Sequence, residues 1–215
     1  MNLTVPEIIL SVCAILAAVV TIWADQKGRR RLYQRVKPLT TTLIIGVAAV
    51  SPVPVPASYK ALILAGLVAS LAGDIALALP ERWFPTGLAC FLVAQVLYVM
   101  AFRPGPGRPV SVGIFLPFII YGLLVFFILR PGLGSLKLPV FVYISAIIIM
   151  AGFAASRYVD RGGVKPLLAF AGAVLFLISD SVLAYDRFGK KIGPVAQIII
   201  LGTYFPAQLL IALSV

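Results

Sequence analysis

The sequence predicts an all-α polytopic membrane protein with about eight transmembrane helices. Hydrophobic residues make up 61% of its 215 positions and the mean hydropathy is +1.08, well above the roughly half-apolar composition of a soluble domain. Apolar runs of the ~17–25 residues that a bilayer requires recur along the whole chain. These runs are continuous and do not alternate as barrel strands do, so they predict helices. We expect a single integral membrane domain over 1–215.

Breaks at Pro, Gly and charged residues divide the chain into eight spans. The first run has no basic segment before it and a basic cluster after it, which indicates a transmembrane helix and not a cleaved signal peptide. The second run is the weakest, because "SPVPVP" ends it early. The predicted spans are 5–24, 39–55, 61–79, 85–102, 112–129, 138–155, 166–185 and 193–214.

Lysine and arginine are distributed unevenly between the two sides of the membrane. The side with the loops after spans 1, 3, 5 and 7 carries twelve, six of them in "DQKGRRRLYQRVK". The positive-inside rule places this side in the cytoplasm and both termini outside, in the cell (inner) membrane if the source is bacterial. The other side carries six, namely Lys60, Arg103, Arg108, Arg157, Arg161 and Lys165.

The remaining composition argues against several classes of site. The two cysteines, Cys13 and Cys90, lie within apolar spans and histidine is absent, so we expect no disulfide framework, no metal site and no cofactor. The net charge is +11. In a chain without a soluble domain, this charge favours contact with anionic membrane lipids over nucleic acid.

The two halves of the chain resemble each other. "GDIALALPERWFPTGLACFLVAQVLYVMAF" parallels "SDSVLAYDRFGKKIGPVAQIIILGTYFPAQ": each has an Asp near a helix end, a short basic loop, and a helix bearing Gln and Tyr. An offset of four spans would insert both copies in the same direction, as two parallel four-helix repeats. Chance similarity is the competing interpretation.

Five of the seven acidic residues lie at the edges of predicted spans or in loops, and only Asp74 and Asp180 lie further inside spans. A charged Asp at the bilayer centre costs about 2.5–3.5 kcal/mol even on insertion scales, so such residues face a protein interior or a wet cavity. Each lies five residues before the predicted cytoplasmic end of its span, or ~7–8 Å of helix rise. Their matched depth predicts a shared site reached from the cytoplasmic leaflet.

Other polar and small residues share faces with these aspartates. Gly66, Ser70 and Gly73 give span 3 a small-residue face suited to close packing. Polar side chains recur on one face of span 4 and one face of span 8. The alternative to a functional site is a structural role, because intramembrane Asp, Gln and Tyr can form hydrogen bonds between helices. Each such bond stabilises helix association by about 0.6 kcal/mol. The polar residues are Gln95 and Tyr98 on span 4, and Gln197, Tyr204 and Gln208 on span 8.

At these residues the chain resembles the YhhN or lysoplasmalogenase family of eight-span membrane proteins. The resemblance covers essentially the whole chain. Many relatives carry His where this chain has Gln95, so an imidazole role is absent here. The matching segments are "KPLT" (37–40), "SLAGDIAL.LP" (70–80), "F..GL..F" (84–91), Tyr98, Phe102, "GAVLFLISDSVLA" (172–184) and "Y..AQLLI" (204–211).

The resemblance implies hydrolysis of the vinyl ether bond of a lysophospholipid, the lysoplasmalogen, to a fatty aldehyde and a glycerophospho-ethanolamine or -choline. This reaction needs a proton donor for the alkene carbon and an anionic group that activates water, which two carboxyl groups with separated pKa values can supply. We expect Asp74 and Asp180 to take these two roles, in either order. Substrate would be positioned by Gln95, Tyr98, Tyr204 and Gln208, and its phosphate held by Lys37, with Arg82 as a further candidate.

A proton-coupled transporter of a small molecule or lipid is the alternative function. Parallel repeats and paired intramembrane aspartates also suit a carrier. The outer halves of spans 3 and 7, "ALILAGLVA" and "LLAFAGAVLF", carry no ionisable or amide side chain, which argues against a path through the membrane.

Overall fold

The structure of the protein is a computed structural model that describes residues 3–52, 55–104 and 111–215. Arg108, counted above in assigning the orientation, lies outside the described residues. Across the described part, regular structure is entirely helical and includes eight α-helices. They are α1 (Val5–Gln26), α2 (Arg30–Val50), α3 (Ala57–Ala78), α4 (Phe84–Phe102), α5 (Val112–Leu129), α6 (Lys137–Arg161), α7 (Val164–Phe188) and α8 (Pro194–Leu213).

Seven of the helices form a closed ring. Going round it, the neighbours are α1, α2, α3, α4, α6, α7 and α8, which returns to α1. Helix α8 also reaches α2 and α3 across the interior, and α5 packs outside the ring against α6 and α7. Polar side chains of α2, α3, α4 and α8 therefore meet in an interior that lipid does not reach.

Helices α3 and α4 pack closely because α3 presents small residues to aromatic rings of α4. A Cβ at Gly66 would lie 2.3 Å from the ring of Tyr98, and a Cβ at Gly73 would lie 2.7 Å from the ring of Phe91. The close packing predicted from the small-residue face is confirmed. It places Tyr98 and the buried amide of Gln95 in the interior of the ring.

Most predicted spans agree with the helices to within a few residues, and α2 differs most. It begins at Arg30 and ends at Val50, whereas the sequence predicted 39–55. The basic residues before the apolar run are good helix formers, so the helix starts before the hydropathy rises. It ends early because Pro52 disfavours helical backbone in the residue before it.

Seven helices are long and apolar enough to cross a membrane, by length and composition among the described residues. Helix α2 is not one of them, since its first turns are basic. Seven spans are thus supported, and the crossing of α2 stays a prediction.

Candidate active site

Asp74 lies in the interior of the ring with partners from two other helices. Its Oδ2 accepts hydrogen bonds from Thr41 Oγ1 on α2 (2.5 Å) and from Tyr204 OH on α8 (2.7 Å). The ammonium of Lys37, also on α2, lies 3.3 Å from Oδ1. Asp74 and Lys37 are both buried, so they form an ion pair shielded from solvent. An adjacent ammonium stabilises the charged form of a carboxylate.

Asp180 has different surroundings. Its Oδ2 accepts hydrogen bonds from Tyr143 OH on α6 (2.5 Å) and from Gln95 Nε2 on α4 (3.1 Å). No Lys or Arg among the described residues lies within ion-pair distance of it. It is half-buried and lines a cavity with otherwise mainly apolar walls. Asp180 is therefore a carboxyl group without a cation, supported on one oxygen by two donors.

The two aspartates occupy separate clusters. No hydrogen bond or ion pair joins them, and they have no partner in common within the described chain. Their distances from the helix ends also differ, because α7 continues to Phe188, three residues beyond the predicted span end. The equal distance from the helix ends expected from the sequence was therefore wrong: Asp74 lies four residues before the end of α3 and Asp180 eight before the end of α7.

One layer of aromatic rings connects the two clusters. The ring of Tyr204, whose hydroxyl binds Asp74, packs edge-on against Phe91 (5.7 Å between centroids) and Phe176 (5.9 Å). Phe91 and Phe176 also contact each other. Each lies one helical turn before a member of the other cluster, Gln95 and Asp180 respectively. Aromatic packing, and no hydrogen bond among the described residues, therefore links the two clusters.

The bonding of the two aspartates supports the parallel repeat predicted from the sequence. Asp74 on α3 takes one donor from α2, the preceding helix, and one from α8. Asp180 on α7 takes one donor from α6, the preceding helix, and one from α4. An offset of four helices relates these two sets. Each aspartate thus binds the second helix of its own half and the fourth helix of the other half.

A third pair lies between these helices. Tyr98 OH donates to Gln208 Oε1 over 2.8 Å, joining α4 to α8. Within the described residues, three buried polar atoms around this interior have neither a hydrogen-bond partner nor an ion-pair partner: Ser70 Oγ, Gln95 Oε1 and Gln208 Nε2. Buried polar groups are usually paired, and unpaired ones are typical binding positions for water or ligand.

Two cavities with different linings approach the aspartates. The first is narrow, about 40 Å³, and Asp180 and Tyr143 are among its few polar residues. By the spacing of its lining residues on α6 and α7, it extends ~10–16 Å along the helices. The second has about 260 Å³ and a lining that includes Lys37, Arg187 and Lys191. Phe84 and Leu183 line both cavities.

The structure brings most of the predicted site residues into the interior. Gln95, Tyr98, Tyr204 and Gln208 are all buried and hydrogen-bonded. Lys37 both pairs with Asp74 and lines the polar cavity. Gln197 lines the same cavity. Arg82 lies in a short 3-10 turn, is exposed, and lines neither cavity.

Sequence reasoning missed four residues of the site. Thr41 and Tyr143 bind the aspartates, and Arg187 and Lys191 line the polar cavity. Threonine and tyrosine are common in membrane helices, and basic residues are common in cytoplasmic loops, so none stands out by type. Thr41 on α2 and Tyr143 on α6 have equivalent roles in the structure, but the sequence repeat does not align these two positions and gives no signal for them.

The fold and the site together define a class of protein: a helical membrane protein with two acidic clusters in its interior and two adjoining cavities. Residues 32–215 match the YhhN family, and the chain belongs to that family. The chain is 28% identical over 184 residues to the membrane protein YhhN of Escherichia coli O157:H7, covering 82% of this chain and 86% of that protein. No solved structure matches the chain.

Mammalian relatives carry an activity in their names. Over 166 residues the chain is 39% identical to human lysoplasmalogenase TMEM86B, covering 73% of this chain and 64% of that protein. It is 35% identical over 158 residues to bovine lysoplasmalogenase TMEM86A, covering 71% of this chain and 64% of that protein. The chain thus spans just under two thirds of the length of these two relatives.

Proposed function

We propose that the chain is a lysoplasmalogenase-like hydrolase that cleaves the vinyl ether bond of a lysophospholipid within the membrane. Family membership and the names of the mammalian relatives support the substrate class. The observation that carries the proposal is one face of α7. Along this face a carboxyl group lines an apolar cavity and a cation lines a neighbouring polar cavity.

Asp180, Leu183 and Arg187 follow one another at helical spacing on that face. Asp180 lines the apolar cavity, Arg187 the polar one, and Leu183 both. Seven residues separate Asp180 from Arg187, a rise of ~10 Å. A lysolipid has the same order of parts: an alkyl chain, the reactive bond, a glycerol backbone and a phosphate.

The substrate fits this order with its phosphate in the polar cavity. Three cations line that cavity, Arg187, Lys191 and Lys37, together with one carboxylate, Asp186, whose Oδ1 accepts a hydrogen bond from the Ile192 backbone. Arg187 is held by Glu81, with its Nη2 2.6 Å from Oε1, and lies 4.6 Å above the ring of Phe84. The alkyl chain passes Phe84 into the apolar cavity, which brings the vinyl ether beside Asp180.

The surroundings of the two carboxyl groups support a different role for each. Asp180 lacks a cation and faces an apolar cavity, which suits a neutral acid. Both hydrogen bonds end on its Oδ2, so Oδ1 would carry the proton. Asp74 is paired with Lys37, which suits a carboxylate that accepts a proton from water.

The reaction then proceeds in three steps. The proton of Asp180 moves to the alkene carbon farther from oxygen, and the alkene electrons form the new C–H bond, leaving an oxocarbenium ion. Water adds to the carbon next to oxygen and loses a proton, which passes through bound water to Asp74, giving a hemiacetal. The bond between the hemiacetal carbon and the glycerol oxygen then breaks: the hemiacetal hydroxyl returns a proton to Asp180, the glycerol oxygen receives the proton held by Asp74, and the aldehyde is released.

Water for this addition requires polar positions inside an apolar bundle. The unpaired atoms of Ser70, Gln95 and Gln208 provide such positions near both clusters. The hydroxyl of Tyr98 orients the Gln208 amide. These residues therefore take a positioning role for water and for the ether oxygen.

The test is incubation of the detergent-purified protein with lysoplasmalogen and, separately, with the ester lysolipid of the same headgroup. We expect free aldehyde from the vinyl ether only. In D₂O the aldehyde should carry one deuterium on the carbon next to the carbonyl, because that carbon receives the catalytic proton. Absence of aldehyde would overturn the proposal and is the result expected of a transporter.

A further inference from the structure

The end of the bundle opposite Asp74 holds a buried arginine that the proposed hydrolysis does not use. Arg157 lies one turn before the end of α6 and is 9% exposed. Its side chain makes no hydrogen bond or ion pair with the residues that the structure describes, and its Nε is fully buried. Buried charges are normally paired, because an unpaired one is strongly unfavourable. A guanidinium in this position calls for an anionic partner.

The guanidinium has one face occupied and its edge unused. Its Cζ lies 4.2 Å from the centroid of the Tyr59 ring. This cation–π contact covers one flat face of the guanidinium and gives none of its N–H groups a hydrogen-bond acceptor. The Tyr59 hydroxyl is hydrogen-bonded to Ser214 Oγ over 2.7 Å, so the ring is fixed in place. The free edge is the part of a guanidinium that binds two oxygens of a phosphate at once.

The neighbouring cations differ from Arg157 in having partners or solvent. Lys60 donates to the backbone carbonyls of Ala49 and Ser51, and Lys165 donates to the carbonyl of Val215. Arg161 is exposed and lies one turn further along the same face of α6. It can therefore add a second positive charge to a ligand bound at Arg157.

The acidic residues at this end do not neutralise Arg157. Glu7 accepts bonds from the backbone and hydroxyl of Thr4. Asp160 is exposed and lies beyond ion-pair distance of Arg157. No acidic side chain among the described residues therefore pairs with Arg157.

We propose that Arg157, stacked on Tyr59 and assisted by Arg161, binds a phosphate group, either that of a phospholipid headgroup or inorganic phosphate. Tyr59 precedes Asp74 by fifteen residues on α3, a rise of ~22 Å. The phosphate site therefore lies near the opposite membrane surface. It is separate from the proposed hydrolysis site, and its failure would leave that proposal unchanged.

The test compares phosphate binding in the full chain, purified in a phosphate-free maltoside detergent, by native mass spectrometry and thermal unfolding. The probes are dioctanoyl phosphatidic acid, dioctanoylglycerol as its phosphate-free match, and inorganic phosphate. The variants are R157Q, R157K, and R130Q as a control, since Arg130 is an exposed arginine at the other end of the bundle.

We expect R157Q to bind one phosphatidic acid fewer than the wild type, or to bind it roughly tenfold or more weakly, because charged hydrogen bonds are lost. R130Q should bind as the wild type does, and dioctanoylglycerol should not bind at this site. R157K keeps the positive charge but cannot donate two parallel hydrogen bonds to the phosphate, so it should bind more weakly than the wild type.

If phosphatidic acid binds and inorganic phosphate does not, the ligand is a lipid headgroup. If inorganic phosphate raises the thermal midpoint as much as phosphatidic acid does, the free anion is sufficient. Undiminished binding in R157Q would overturn the site. If R157Q does not fold, wild-type affinity in R157K would overturn it.

Discussion

The buried pair of Lys37 and Asp74 is the residue-level feature whose structural and chemical roles are hardest to separate. Removing one partner leaves an uncompensated charge, which costs about 3–5 kcal/mol, whereas replacing both is often neutral. We expect K37M to lower the free energy of unfolding by about that amount, measured by SDS titration in mixed micelles. The double variant K37M/D74N should recover most of this loss.

Aldehyde release distinguishes the two roles of Asp74. If Asp74 activates water, K37M/D74N stays inactive although it is stable, and D74N alone, which keeps Lys37 for the substrate phosphate, is inactive as well. Recovery of activity together with stability would mean that Asp74 serves only to neutralise Lys37.

The site residues that could be predicted from the sequence are those whose charged side chains are energetically unfavourable in lipid. Asp74 and Asp180 stand out because nothing in an apolar span compensates for a carboxylate. Their separation into two clusters could not be predicted, since it depends on α3 and α7 having different neighbours in the ring. Tyr143 and Thr41 were missed because only the fold brings their hydroxyls to the acids.

At the scale of helices, the contact between α3 and α4 depends on the missing side chain of Gly66. In G66A the new methyl group would overlap the Tyr98 ring, and overpacking of this kind costs about 1–3 kcal/mol. We expect a lower thermal midpoint in detergent and, through displacement of Tyr98 from Gln208, lower activity.

G202A is the matched control, because it places the same methyl group on α8 with nothing within 4 Å. It should leave the midpoint unchanged or raise it, since alanine is the better helix former by about 1 kcal/mol. Equal midpoints for G66A and G202A would argue against the close packing.

The extent of α2 shows what hydropathy predicts and what it does not. The apolar run marks where a helix can lie in lipid, whereas helix ends follow local backbone chemistry. Residues Arg30 to Lys37 are helical although they precede the apolar run. This extension places Lys37 beside Asp74 and in the lining of the polar cavity. Of the two α2 residues that bind Asp74, Thr41 lies inside the predicted span and Lys37 lies outside it.

At the scale of the whole molecule, the two cavities determine which substrate part goes where. Ala184 lines the narrow apolar cavity, so A184L should obstruct the alkyl chain. Overpacking of about 1–3 kcal/mol predicts a fall in kcat/KM of roughly five- to 150-fold for a long-chain lysoplasmalogen.

The control for this change is A65L, the same substitution at an exposed position on α3. It should retain wild-type kinetics. A similar loss in A65L, or none in A184L, would show that the alkyl chain binds elsewhere.

The central claim is that Asp180 donates the proton that begins vinyl ether cleavage. The most direct measurement is the rate of aldehyde release by D180N, beside D160N, which changes an exposed aspartate at the opposite end of the bundle. We predict that D180N folds and loses activity by roughly 10²–10⁴-fold, the range for loss of a general acid, whereas D160N retains it. Aldehyde release by folded D180N within twofold of the wild type would contradict the account.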